Sequence, residues 1–256
     1  MLPTLALPPD RPDVRDALAD RVILVTGSGQ GIGRAVALAC ARQGARVVLH
    51  GRRQRKLETV YDAIVGEGLP EPVIVPLDLA KAQDEDYAAL ASAIAGQVGR
   101  LDGIAHCAVH LDELRPLDDE PMTRWLTMLR VNLVAVAAID RACGPLLWQA
   151  PDASIVVTIE SHAIAPAAYW GSFAIAKQGL LGLVSITAAE WAARPSVRVN
   201  ALLPGPVASP QRSRTHPAED GARLATPESV AHGYVFLLGP QATGLTGRLL
   251  DLSAGR

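Results

Sequence analysis

Residues able to cradle a phosphate, move a proton or hold a metal gather in three stretches of the chain. The first reads Thr26-Gly27-Ser28-Gly29-Gln30-Gly31-Ile32-Gly33. Residues 22–25 before it form an unbroken apolar, largely β-branched run, the pattern of a strand buried on both faces, and residues 34–43 after it carry helical apolar spacing. A glycine-rich turn in that position lets backbone approach a pyrophosphate closely, and the free N–H groups of the helix start aim at the negative charge. The spacing Thr-Gly-x-x-x-Gly-x-Gly differs from the commoner G-x-G-x-x-G fingerprint, but its strand–turn–helix setting points to dinucleotide binding.

The second stretch is Glu160-Ser161-His162. A carboxyl beside a desolvated pocket has a raised pKa and becomes an acid when protonated. Ionised, Glu160 would instead favour a positively charged partner, and His162 could also carry a proton. The plainer alternative turns Glu160 to solvent or pairs it with Lys177. The third stretch is His106-Cys107-Ala108-Val109-His110. Zinc needs three or four convergent ligands, and no partner group is evident, so pocket lining or strand-end packing is expected and no metal.

The elements that must hold these residues alternate along the chain. Strands are expected at 22–25, 45–50, 72–76, 101–107, 154–159, 197–203 and 248–252. Helices are expected at 34–43, 53–66, 84–98, 169–193 and 227–238, with a long stretch over 121–149 that is irregular near Gly144-Pro145. Residues 204–226, rich in Pro, Ser and Arg, read as a mobile loop. Such alternation implies a Rossmann-type, doubly wound parallel α/β sheet with helices on both faces, three layers in all. It forms one domain over 21–256, after a proline-rich extension at 1–20 expected to lie on the surface.

A chain of 256 residues, 49% of them hydrophobic, can fill the core of one large domain. A formal charge of −2 argues against nucleic acid or an anionic membrane as partner. No apolar run reaches the ~20 residues of a span. The start of the chain resembles neither a signal nor a transit peptide. Cys40, Cys107 and Cys143 lack framework spacing and read as reduced thiols, which fits the cytoplasm.

Over about residues 20–253 the sequence resembles the short-chain dehydrogenase/reductase family, whose first turn has the Thr26–Gly33 spacing. In this fold an acid at the end of the second strand bonds the adenosine ribose and would repel a 2′-phosphate. Here Gly51 stands there, followed by Arg52 and Arg53, whose planar forks suit phosphate, so NADP(H) is favoured over NAD(H). Both arginines equally suit the solvated start of a helix. The resemblance assigns Asp78 and Leu79 to adenine, although a lone Asp after a strand also caps turns. It brings Ala108 to the cofactor through the turn after the fourth strand, where Val109 replaces the family's glycine and threatens nicotinamide docking. Pro204, Gly205, Val207 and Ser209 match its Pro-Gly turn and nicotinamide contacts.

The family's chemistry, by resemblance, needs an Asn, a Ser, a Tyr and a Lys four residues after the Tyr. The tyrosine exchanges the proton at the carbonyl oxygen while nicotinamide exchanges hydride, and the lysine lowers its pKa from ~10. Asn132 and Lys177 match, but Phe173 occupies the tyrosine position and Glu160, thirteen residues earlier, the serine position. Ser161 substitutes only if the loop is one residue shorter, and Tyr169 lies two helical turns from Lys177. The resemblance therefore implies a nucleotide-binding protein whose carbonyl reduction or alcohol oxidation is lost or strongly reduced. Binding would then serve sensing, scaffolding or a partner subunit. The alternative is an active oxidoreductase or redox-neutral enzyme using Glu160, Ser161 or His162. The expected partners are the dinucleotide, a small carbonyl or alcohol, and further copies of the chain in a dimer or tetramer.

Overall fold

A computed structural model describes residues 2–6 and 16–253. Eight strands form one sheet: β1 (Thr4–Ala6), β2 (Val22–Thr26), β3 (Arg46–Gly51), β4 (Val73–Pro76), β5 (Gly103–His106), β6 (Ala153–Thr158), β7 (Val197–Leu203) and β8 (Leu249–Asp251). Their spatial order is β1-β8-β7-β6-β5-β2-β3-β4 and every pairing is parallel. The order runs outward in opposite directions from β2 and β5, so a crevice opens above their C-terminal ends.

The period-two alternation of strand side chains divides the core in two. Ile23, Val25, Val47 and Leu49 face α1 (Gly31–Arg42), α2 (Gln54–Gly66) and α8 (Pro227–Leu238), meeting Val36, Leu57 and Tyr234. Leu24, Val48, Ile104 and Ile155 face α3 (Asp84–Val98), α5 (Ala135–Leu147) and α6 (Gly171–Glu190), meeting Leu90, Ile139 and Leu180. Each large apolar side chain so buried stabilises the fold by about 1.5–3 kcal/mol before chain entropy is counted.

Three local expectations need correction. The extension does not simply lie on the surface: Thr4–Ala6 pairs with β8 as an edge strand, the Leu249 N–H donates to the Pro3 carbonyl at 3.0 Å, and Leu2 and Leu18 are buried. Residues 7–15 of the extension lie outside the described residues. The break in the long helix is not at Gly144-Pro145, which α5 accommodates in its last turn. It lies at a π-helical turn, Arg130–Val134, between α4 (Met122–Leu129) and α5. There the Asn132 amide donates to the Met128 carbonyl at 3.0 Å, taking up a bond of the widened turn. Finally, the stretch 204–226 contains a short helix, α7 (Pro210–Thr215), capped by the Ser209 hydroxyl, which accepts from Arg212 N at 3.1 Å. Ser209-Pro210 is a helix-start signal that the lack of periodicity concealed.

Residues Gly171–Ala193 are long and apolar enough to cross a bilayer by composition alone. They pack against β7 and α4 instead, and the helix buries Phe173, Ala176, Leu180 and Val184, as a core helix does.

Candidate functional site

The crevice holds a cavity of about 640 Å³ that runs from the end of β3 across β2 and β5 to the ends of β6 and β7. At its centre the turn between β2 and α1 is built from close backbone contacts. Gly27 has φ +69°, and a Cβ there would lie 2.8 Å from the Ala108 Cα. A Cβ on Gly33 would lie 2.3 Å from the Gly27 carbonyl oxygen. Gly31, at φ +55°, meets nothing within 4 Å, which leaves its side open. The start of α1 has no side-chain cap and no acid in its first turn, so its N–H groups are free to receive an anion. This arrangement fits a dinucleotide pyrophosphate.

Gly27, Gln30, Gly31, Ile32 and Gly33 line the cavity, whereas Thr26 and Ser28 lie behind it. The Thr26 hydroxyl accepts from the N–H groups of Cys107 and Ala108, both at 3.1 Å, tying the β2 and β5 loops together. Ser28 is fully buried and donates from N (3.0 Å) and Oγ (3.2 Å) to the His50 carbonyl. Both side chains hold the turn from behind the lining. Val109 leaves the tether intact; its half-exposed side chain lines the cavity beside Ala108.

At the β3 end, Arg52, Arg53 and Lys56 stand on the wall, and neither arginine is in an ion pair among the described residues. Arg53 is also the residue that opens α2. Asp78 and Leu79 line the same end, and an Asp78 carboxylate oxygen accepts from Ala80 N at 3.1 Å, so it caps a turn as well. Sequence reasoning missed His50, which lines this end although it is nearly fully buried. Neither ring nitrogen has a partner, and burial pushes its pKa down to about 4. The signal was a polar residue directly after the apolar run Val47-Val48-Leu49.

The far end is made by side chains. Lys177 Nζ donates to the Thr158 carbonyl at 3.1 Å rather than pairing with Glu160, and burial lowers its pKa to about 8. The Phe173 ring, one helical turn earlier, is 1% exposed, with Lys177 Nζ 5.8 Å from its centroid. It belongs to a small separate apolar cluster with Leu111, Met128, Trp170 and Ala174. Glu160 lines the cavity and accepts from His162 N at 2.8 Å and Ser161 Oγ at 3.2 Å. Its Oε2 also lies 2.6 Å from His162 Nδ1, and the imidazole stacks on Trp170 at 3.6 Å between centroids.

Ser161 is exposed and outside the lining. Tyr169 precedes α6 at φ +73°, is 59% exposed and also lies outside the lining. Because the helix begins only at Gly171, two-turn spacing from Lys177 does not apply to it. Asn132 is buried behind the wall, its amide donating to the His110 carbonyl at 2.7 Å and its oxygen accepting from His110 N at 3.0 Å. Pro204, Gly205, Val207 and Ser209 complete the lining by β7.

The His-Cys-x-x-His stretch divides its groups. His106 Nε2 meets Asp140 at 2.8 Å, His110 Nε2 lies 3.3 Å from Asp112, and burial pushes the Cys107 thiol up to about 12. Among the described residues no three of His, Cys, Asp or Glu converge as metal ligands.

Comparison with known proteins agrees with this architecture. Residues 27–256 match the sequence model of a family described as enoyl-(acyl carrier protein) reductase. The chain is 35% identical over 242 residues to the uncharacterized oxidoreductase YciK of Escherichia coli, covering 94% of this chain and 95% of that one. It is 32% identical over 252 residues to dehydrogenase/reductase SDR family member 4 of Bos taurus, covering 94% and 88%. A short-chain dehydrogenase structure from Pseudomonas syringae superposes with a TM-score of 0.91 at 36% identity, covering 94% and 98%. One from Escherichia coli, complexed with NADPH, gives 0.89 at 36%, covering 92% and 98%. With its parallel sheet, its glycine turn over the switch point and this likeness along almost its whole length, the chain belongs to the short-chain dehydrogenase/reductase family.

Proposed function

We propose that this protein binds NADP(H) in preference to NAD(H), while proton-coupled carbonyl reduction or alcohol oxidation is lost or strongly reduced. The observation that carries the reading is the Phe173 ring, which is buried against the cavity one turn from Lys177 and has no ionisable proton. The Gly27–Gly33 turn would hold the pyrophosphate, Arg52 and Arg53 the 2′-phosphate, Asp78 and Leu79 the adenine, and Lys177 and Val207 the nicotinamide end. When bound, the nicotinamide supplies a hydride donor or acceptor. The Escherichia coli relative complexed with NADPH supports the choice of nucleotide.

Removing a general acid lowers rates about 10²–10⁴-fold. NADPH should therefore bind in a fluorescence titration, while turnover with a panel of carbonyl compounds stays at least about 100-fold below that of the Phe173→Tyr, Glu160→Ser double variant. Wild-type turnover at an ordinary enzymatic rate defeats the reading. It would favour the second one, in which Glu160 and His162, joined at 2.6 Å, move the proton in an oxidoreductase or redox-neutral reaction. The single variants Glu160→Gln and His162→Phe would then abolish that turnover.

The proposal extends to a homodimer or homotetramer in the cytoplasm. Leu126 on α4, Val134 in the π turn, and Ile175 and Ile186 on α6 are all more than 40% exposed, an apolar surface suited to a second copy.

A further inference from the structure

The two ends of a bound dinucleotide are assigned by the crevice itself. Its pyrophosphate suits the open start of α1, and its adenosine ribose the end of β3, beside Arg52. The other end must then cross β2 and β5 toward β6 and β7, where the wall presents Glu160, Trp170, Phe173, Lys177 and Val207. The nicotinamide ring is a cation when oxidised and neutral when reduced. A wall that carries net negative charge or aromatic faces therefore separates the two forms by affinity.

Glu160 supplies that charge from a fixed position, held by hydrogen bonds from the His162 backbone and the Ser161 hydroxyl. Lys177, the cation that opposes it, bonds to the neutral Thr158 carbonyl, and burial, which lowers its pKa to about 8, leaves it only partly charged at pH 8. Of the other charged groups on this part of the wall, Arg212 is closed by a two-pronged bond to Glu219 at 2.6 and 2.9 Å, and Asp112 faces His110 at 3.3 Å. Arg214, an exposed side chain, remains.

We infer that Glu160 makes this site hold NADP⁺ more tightly than NADPH, so that the protein reads the oxidation state of the nucleotide pool. The inference rests on the proposed binding of NADP(H) and adds its direction. A unit charge across a pocket's width, about 8 Å, at an effective dielectric of about 30 changes a binding constant about tenfold.

The test is a set of dissociation constants measured by titration calorimetry at pH 8, where an ordinary imidazole is neutral. The ligands are NADP⁺, NADPH and 2′-phospho-ADP-ribose, which lacks the nicotinamide. In the wild type, NADP⁺ should bind more tightly than NADPH. In Glu160→Gln, which keeps an acceptor for the His162 N–H, that ratio should fall about tenfold while 2′-phospho-ADP-ribose binds unchanged. Lys177→Met should move the ratio the opposite way, and its result decides the matter should Glu160→Gln fail to fold. Equal affinities in the wild type, or a ratio that neither substitution moves while both nucleotides still bind, overturn the inference alone. A wild type that binds none of the three overturns the NADP(H) reading and the inference with it.

Discussion

The middle of the crevice and its far end stand on neighbouring strands of one sheet but are made of different material. Around Gly27 and Gly33 the surface is backbone: two loops in contact, a helix start with free N–H groups, and a Thr26 hydroxyl tying the loops together. Around Phe173 and Glu160 it is side chain. A backbone cradle tolerates few changes because a Cβ on Gly27 or Gly33 meets main chain. A side-chain constellation can be rewritten without touching the fold, and here apolar packing has filled it: Phe173 joins Leu111, Met128 and Trp170 in a dry cluster. Chemistry is thus easier to lose than the cofactor cradle, which shares its contacts with the core.

The sharpest way to break this contrast is Gly33→Ala. Its Cβ would overlap the Gly27 carbonyl at 2.3 Å, so the turn must open. Nucleotide titration should show binding abolished, and denaturant unfolding a loss of about 3 kcal/mol. Binding retained at wild-type strength would mean that the turn is far more pliable than its contacts imply.

Arg52→Ala probes the β3 end. Loss of a charge-assisted bond to phosphate should weaken NADPH about 10–100-fold and leave NADH almost unchanged. Equal weakening of both would remove the 2′-phosphate from Arg52.

A third probe is Lys177. Burial has lowered its pKa from 10.5 to about 8, so between those values the unfolded chain binds more protons than the folded one. Stability gains a contribution as pH rises through this window. Below about 8 the buried charge is carried in full. Thermal melts from pH 7 to 10.5 should show Lys177→Met flattening that part of the wild-type curve. An unchanged slope would place the ammonium in contact with solvent.

Much of this was legible in the residues. The unbroken run at 22–25, the glycines after it and the regular alternation of strands and helices each follow from local sequence chemistry. So does the presence of phenylalanine four residues before Lys177, since helical spacing alone sets them on one face. Thr4–Ala6 was illegible because three residues carry no period and become a strand only when β8 offers its edge. The π turn escaped because its cause is a side-chain amide meeting carbonyls from two elements. His50 was passed over because a lone histidine at a strand end says nothing of whether its nitrogens will find partners.

By itself, then, the order of residues determined the doubly wound sheet, the place of the glycine turn and the absence of a tyrosine hydroxyl, because strand and helix periods and residue identity are local properties. Which way each polar group turned depended on the assembled chain. Glu160 faces the cavity and Ser161 does not, Ser28 is tied to β3, and Asn132 is consumed by His110. Those outcomes follow from hydrogen bonds and burial between segments far apart in sequence, which no local pattern encodes.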